Sequence, residues 1–242
     1  MRRALLDLPA RRSGPMDGRD ARAKLAALLV VLVVISTAHR ALAATAAALA
    51  LVLIAGCLWA RVPVLAALRR AAVVLPFTLF FALACWVAGD TARAVALVVK
   101  SYLSCLAVWL VIATTPLPAL LRALESFGAP RFLLMVAQFV YRYLFVITGE
   151  AARMVDAAEA RGGSPGRAFR RLRFRAAAGA LAVLFARSYA RAAEVHRAML
   201  ARGFHGRLQN LESPHFRPAD VMFAAIASLA TVVARLAAER LT

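Results

Sequence analysis

Hydrophobic positions in this chain fall in long unbroken runs rather than in the strict alternation of a half-buried strand. Leu25 to about Ala38 is the first run, interrupted by His39-Arg40. Ala41 to Ala60 is the second; at about 1.5 Å per residue it is long enough to cross a hydrocarbon core of ~30 Å. Ala71 to Ala88 is the third, with Pro76 inside it, and Ala94 to Thr115 is the fourth, with Lys100 inside it. The first run is short for a span and relies on the stems of Lys24 and Arg40 reaching outward. Lys100 is awkward against lipid, so it is expected to face other helices or to snorkel from the upper end. Arg61-Val62-Pro63 followed by Arg69-Arg70 reads as a short basic loop, and Gly89-Asp90 as a turn without positive charge.

Beyond Thr115 the pattern changes to apolar residues at helical spacing interleaved with Arg and Glu. Pro116 and Pro118 start a helix, and Gly128-Ala129-Pro130 breaks it. Phe132 to about Ala160 reads as one long helix, apolar in its first half and amphipathic in its second. There Glu150, Arg153, Asp156 and Glu159 follow at steps of three, which places them along one side. Gly162-Gly163-Ser164-Pro165-Gly166 ends it. Ala168 to Ala201 is a second long helix, with Phe174, Leu181, Leu184, Phe185 and Tyr189 as its apolar contacts. Arg207 to Arg217 is a Pro-containing connector, and Ala219 to Leu236 is the last apolar run.

Composition turns these runs into a class. The chain has 242 residues, 63% of them hydrophobic, and a mean hydropathy of +0.73. Soluble domains are about 45–50% apolar, which argues against an ordinary water-soluble enzyme. Cys57, Cys85 and Cys105 all lie inside apolar runs and read as small packing residues, not a disulfide framework. The chain is therefore read as all-α: a polytopic membrane protein with about five to six transmembrane helices and long cytoplasmic helices. Its expected divisions are 1–24, a flexible basic lead-in; 25–115, four membrane helices; 116–217, a cytoplasmic module; and 218–242, a last membrane helix.

Charge orients it. There are 31 Lys and Arg against 12 Asp and Glu, a net charge of +19. The positive residues flank the apolar runs, which reads as cytoplasmic topology and contact with anionic headgroups, and not as nucleic-acid binding. The lead-in and the 61–70 loop are expected inside, and the His39-Arg40 and Gly89-Asp90 turns outside. The fourth span then ends inside near Thr115. Because apolar sequence resumes directly after His39-Arg40, the first run is read as a retained segment and not as a cleaved signal.

One tripeptide ends both long helices. It is Ala160-Arg161-Gly162 after Glu159, and Ala201-Arg202-Gly203 after Leu200. Gly can close a helix in the left-handed conformation, and an Arg in the last turn complements the helix dipole. That would explain one copy. Two copies in one cytoplasmic block place two planar, permanently charged forks at exposed tips, each suited to a carboxylate on a partner.

The stretch from Thr114 to Gly162 resembles the T component, the transmembrane coupling subunit, of energy-coupling factor transporters. The residues that carry this are Thr114-Thr115-Pro116, Leu120 to Leu124, Gly128-Ala129-Pro130-Arg131, Tyr141-Arg142-Tyr143, Glu150 and Glu159-Ala160-Arg161-Gly162. The second tip continues as Arg202-Gly203-Phe204-His205-Gly206-Arg207, which looks like the cobalt/nickel, CbiQ-like branch. Asp20-Ala21-Arg22-Ala23-Lys24 is similar to the family's Asp-Pro-Arg-x-Lys start, with Ala21 in place of Pro. The resemblance implies a bacterial inner-membrane, multi-pass subunit without cofactor or catalysis of its own. Its partners would be two ATP-binding-cassette ATPases and a substrate-binding membrane subunit, the S component. It further implies that Ala160, Arg161, Gly162, Ala201, Arg202 and Gly203 dock the ATPases. Pro116, Pro130, Tyr141, Arg142, Glu150 and Glu159 would shape the module. Apart from the resemblance, a buried charge needs a partner, and Glu150 is expected to pair with Arg142.

The absent motifs agree. The chain has no GxxxxGK[ST], no HExxH and no CxxC. His196, His205 and His215, nine and ten residues apart, do not share a helical face and read as solvated or interfacial. Two other classes compete. A self-contained permease or channel would need ionisable or broken positions at mid-bilayer, for which only Pro76 and Lys100 qualify. A lipid-binding regulatory protein would use its Arg block without regard to position. Within the T-component reading, cobalt, nickel and vitamin systems remain open.

Overall fold

The Asp20 carboxylate accepts a hydrogen bond from the Arg22 N–H and so starts α1 (Ala21–Thr37). In the structure, a computed structural model, residues 16, 18–38, 42–161, 170–206 and 218–240 are described. The lead-in before Met16, the His39-Arg40 turn, the Gly162–Gly166 break and the 207–217 connector lie outside the described residues.

After α1 come α2 (Leu42–Trp59), α3 (Val64–Ala71), a 3-10 turn (Ala72–Val74) and α4 (Leu75–Val87). They are followed by α5 (Thr91–Thr114), α6 (Leu117–Ser126), α7 (Arg131–Ala160), α8 (Arg170–Ala201) and α9 (Pro218–Arg240). The fold is all-α. Val64–Val87, Thr91–Thr114, Arg131–Ala160 and Pro218–Ala237 are long and apolar enough to cross a membrane, and Ala43–Trp59 is a shorter apolar helix. Two units form: α1 to α6 with α9, and α7 with α8.

In the first unit, buried residues line one stripe of each central helix at helical spacing. They are Ala27, Val31, Val34 and Ile35 on α1, Leu49, Leu53 and Cys57 on α2, and Leu103, Leu106, Ala107 and Leu110 on α5. A Cβ on Gly56 would stand 3.1 Å from Leu110 Cδ2, so α2 and α5 approach closely there. Outward-facing Leu51, Phe77, Phe80 and Trp86 are exposed, as suits a lipid-facing surface.

Long polar side chains fix the helix directions. Lys24, at the start of α1, is buried and donates to the Thr114 carbonyl at 2.9 Å and to Thr115 Oγ1 at 3.1 Å, at the end of α5. At the far end of α1, Lys100 Nζ donates to the Ser36 carbonyl at 2.9 Å. Helices α1 and α5 are therefore antiparallel. Arg19 donates to the Ala219 carbonyl at 3.1 Å and lies 3.8 Å from the buried Asp220, at the start of α9. Arg235, late in α9, donates to Thr37 Oγ1 and to the Thr37 carbonyl. Hence α9 runs parallel to α1. Lys100 and Arg235 together serve the carbonyls that a helix C-terminus leaves open. This is how Lys100 faces other helices, as expected.

One expectation changes here. Arg69 and Arg70 are not loop residues: they occupy the last turn of α3, which begins at Val64 after Pro63 and leads through the 3-10 turn into α4. Charge ends a hydropathy run, but a helix carries charge on one side. Ala67 and Ala71 are buried, while the Arg70 guanidinium sits 4.5 Å above the Trp109 ring. Tyr102 likewise packs inward, its hydroxyl donating to the Leu68 carbonyl at 3.2 Å. Pro76 lies inside the Val64–Val87 span, just after the 3-10 turn that interrupts it. It occupies the first turn of α4, where its missing N–H costs no helical bond.

The Lys24 contact gives a direct test. Lys24→Met is expected to lower the melting temperature in detergent, because losing hydrogen bonds to a buried charged group costs about 1.5–3 kcal/mol. Arg93→Met, at an exposed side chain paired with Asp90, is expected to change it little. Equal melting of the two variants would remove Lys24 as the pin between α1 and α5.

Candidate functional site

Pro116 and Pro130 occupy the capping positions that open α6 and α7, with extended backbone that cannot continue a preceding helix. Gly128, at φ +91, makes the turn between them. From there α7 runs thirty residues. Tyr141 meets Phe145 edge-on, with ring centroids 5.2 Å apart, and Tyr143 stacks on Phe139 at 6.3 Å.

The second half of α7 departs from the one-sided row of charges. A step of three residues turns about 300°, so each member falls about 60° behind the last. The row winds around the helix, and Glu150 and Glu159 face opposite ways. Accordingly Glu150 is buried, while Arg153, Asp156 and Glu159 are exposed. The expected Glu150–Arg142 pair does not form. Eight residues separate the two by about 12 Å along the axis, and Arg142 is exposed. The Glu150 partners are instead on α8. Arg187 Nη1 donates to Oε1 at 3.3 Å and Arg191 Nη2 to Oε2 at 3.1 Å. Arg187 and Arg191 stand four apart and so share a face. Sequence reading passed over them because the helix is rich in Arg throughout.

The direction of α8 follows from chain length. If α8 ran parallel to α7 from this contact, about 45 Å of axis would separate Ala160 from Arg170. Ten residue steps reach at most about 36 Å. The two helices therefore do not run parallel, and the chain turns back on itself between them.

Each tip ends as the tripeptide suggests, so far as it is described. Arg161 closes α7, its N–H bonding the Ala157 carbonyl at 3.3 Å, and is exposed. Gly162 lies outside the described residues. At the second tip the Gly203 N–H bonds the Leu200 carbonyl at 2.9 Å and the Phe204 N–H bonds the Met199 carbonyl at 3.0 Å. With Gly203 at φ +75 this is a complete Schellman ending. Ala201, Arg202 and Gly203 are all exposed. The Arg202 side chain thus projects from a rigid, glycine-closed end.

Along α8, Leu184, Ser188, Val195 and Met199 are half-buried, whereas Leu181, Phe185 and Tyr189 are exposed. The latter three were expected as contacts; they stand at four-residue steps about 100° from the half-buried stripe. The side chain of Phe174 lies outside the described ones. Among the described residues no group of three or more His, Cys, Asp or Glu is placed to hold a metal ion; His196 and His205 are exposed, and His215 is not described.

Comparison with known proteins follows the same lines. A family model described as CbiQ, cobalt transport protein, matches residues 16–213. The chain is 33% identical over 128 residues to the cobalt transport protein CbiQ of Rhodobacter capsulatus, a match covering 53% of this chain. The chain thus spans about half the length of that curated relative, 50% of it.

Proposed function

The chain belongs to the CbiQ family of cobalt transport proteins, and from that premise we propose that it is the T component of an energy-coupling factor importer for cobalt or nickel ions. It passes the ATP-driven motion of two ATPases to a substrate-binding membrane subunit and catalyses nothing itself. The observation that carries this is the pair of exposed arginines, Arg161 and Arg202. Each closes a long helix, eleven residues beyond that helix's member of the Glu150–Arg191 contact. Two such tips suit two similar ATPases, each offering a carboxylate to a guanidinium fork. Ala160, Gly162, Ala201 and Gly203 let the partner approach closely, and Pro116, Pro130, Tyr141, Arg142 and Glu159 hold the module's shape.

The first unit supplies the membrane frame. Its Lys24 end carries Arg61, Arg69 and Arg70 and is taken as cytoplasmic by the positive-inside rule. The chain leaves this unit through α6, next to the Lys24 end of α1, and returns at Pro218, beside Arg19. Residues 129–213 therefore cross the membrane an even number of times or not at all, which leaves α9 running outward. The complex belongs in the bacterial inner membrane.

Affinity purification in mild detergent with mass spectrometry tests the reading. Wild type is expected to bring down ATP-binding-cassette ATPase at two copies per chain, together with one small membrane subunit. That subunit, loaded with Co²⁺ or Ni²⁺, identifies the cargo. Wild type arriving without any ATPase would return the tips to ordinary helix ends and favour a self-contained permease.

A further inference from the structure

Two arginines lie inside an apolar span that holds no carboxylate. Arg69 and Arg70 stand five and six residues into Val64–Val87, about 8 Å along the axis from its start, and both are exposed. That span is about 36 Å long, some 6 Å more than a hydrocarbon core, so the two attach only about 5 Å below the headgroup boundary. From Ala21 to Thr114 the chain has one acidic residue, Asp90. It caps the start of α5 and pairs with Arg93. Trp109, over which Arg70 lies, is nineteen residues further along α5, about 28 Å away. Among the described residues neither arginine side chain has a hydrogen bond or an ion pair. A charge at this depth needs an anion, and the anion that stands at this depth is a lipid phosphate. We propose that Arg69 and Arg70, with Trp109, bind the headgroup phosphate of an anionic phospholipid. The proposal stands on the first unit alone and does not depend on the docking role of the tips.

The local structure holds these groups as a site. An arginine that merely escapes the membrane extends its side chain toward water. Arg70 instead lies 4.5 Å above the Trp109 ring. Stacking uses the flat face of the guanidinium and leaves its N–H donors, which lie in its plane, directed at whatever stands beside it. A phosphate there accepts two of them at once. The backbone beneath is fixed as well: Ala67 and Ala71 are buried, and the Tyr102 hydroxyl of α5 donates to the Leu68 carbonyl, the residue before the pair. The acyl chains have a track. Val73, Phe77 and Phe80 stand three, seven and ten residues beyond Arg70, a spacing that keeps them within roughly 40° of it on the continuing helix, and all three are exposed. The surface thus passes from paired guanidinium groups to an aromatic apolar strip, the same order as a phospholipid from phosphate to chain. Diffuse attraction between bulk positive charge and headgroups needs neither the stacked arginine nor the strip.

Two measurements on the full chain test this. In the first, phosphatidylglycerol and phosphatidylcholine with the same chains are titrated into the purified protein in detergent, and bound lipid is counted by native mass spectrometry. Wild type is expected to hold one phosphatidylglycerol in preference to phosphatidylcholine, and excess inorganic phosphate is expected not to release it. Arg69→Gln with Arg70→Gln should weaken phosphatidylglycerol by about tenfold or more and leave phosphatidylcholine unchanged. Arg70→Lys, which keeps the charge but not the fork, should fall between, and Arg93→Gln should match wild type. In the second, Trp59→Phe with Trp86→Phe leaves Trp109 as the one indole, and the protein is placed in phosphatidylcholine vesicles with a minor share of lipid carrying brominated chains. Brominated phosphatidylglycerol is expected to quench Trp109 more than brominated phosphatidylcholine does. Equal affinity of wild type for the two lipids would overturn the proposal, as would an undiminished preference in the folded Gln pair. Release by inorganic phosphate would make this a site for soluble phosphate and overturn the lipid. If the Gln pair does not fold, the quenching decides alone, and equal quenching by both lipids sinks the site.

Discussion

Reversing both tip charges, Arg161→Glu with Arg202→Glu, is expected to strip the ATPases from the purified complex while the small membrane subunit stays bound. The reason is electrostatic and local. A guanidinium seated against a partner carboxylate makes two parallel charge-assisted bonds, and truncating one partner of such a pair costs about 2–5 kcal/mol. Reversal adds repulsion to that loss. The two tips act on one ATPase pair, so their contributions compound by effective concentration, and retention should fall by more than about 100-fold. Either reversal alone should leave an intermediate retention, since one docked tip still tethers its ATPase.

The same geometry separates this from a general need for positive charge. Arg161→Lys with Arg202→Lys keeps the charge but loses the planar fork, and should still weaken retention by roughly tenfold. Arg197→Glu, an exposed reversal one turn before the second tip, should leave the ATPases in place. If Arg197→Glu acts as strongly as Arg202→Glu, the helix binds by bulk charge and the docking roles of Arg161 and Arg202 fall. The unfolding temperature of the first unit should be the same in every one of these variants, because neither tip arginine is buried.

The sequence reads best where one physical effect dominates. The apolar runs at 41–60 and 94–115 sit on helices α2 and α5, and the Pro116 and Pro130 boundaries hold, because burial in lipid and the proline ring leave little choice. It reads worst where a charged side chain is absorbed by a neighbour remote in sequence. Arg69 and Arg70 looked like a loop because hydropathy cannot see that Trp109, on α5, offers its ring face to Arg70. Lys24 looked like the edge of a span, yet it is buried against Thr114 and Thr115, ninety residues away. Glu150 reads as paired within its own helix, whereas its partners Arg187 and Arg191 come from α8, about forty residues further on. The second tip, by contrast, was legible to its last bond: a glycine after a helical Arg predicts the left-handed ending that Gly203 adopts.

That ending makes the final prediction the sharpest. Gly203→Val is expected to lower ATPase retention by about tenfold or more, although it changes no charge and removes no contact. A Cβ at Gly203 would meet nothing within 4 Å, so sterics with neighbours play no part. The cost lies in the backbone. At φ +75 an ordinary L-residue pays about 1–2 kcal/mol, and a β-branched one more. An exposed helix end relieves that strain cheaply by unwinding its last turn, which releases the Gly203–Leu200 and Phe204–Met199 bonds and swings Arg202 off its axis. Global stability should therefore hardly move while docking falls. Gly203→Asn should recover most of the retention, because Asn tolerates the left-handed region. Gly206→Val supplies the comparison: it too has a positive φ, of +77, with open space around it, but it lies beyond the Schellman bonds that hold Arg202. If Gly206→Val and Gly203→Val reduce retention equally, the whole 203–206 turn is the docking element rather than the arginine fixed at the helix end. If neither does, the direction in which Arg202 leaves α8 is irrelevant to the partner, and rigid docking at this tip is wrong.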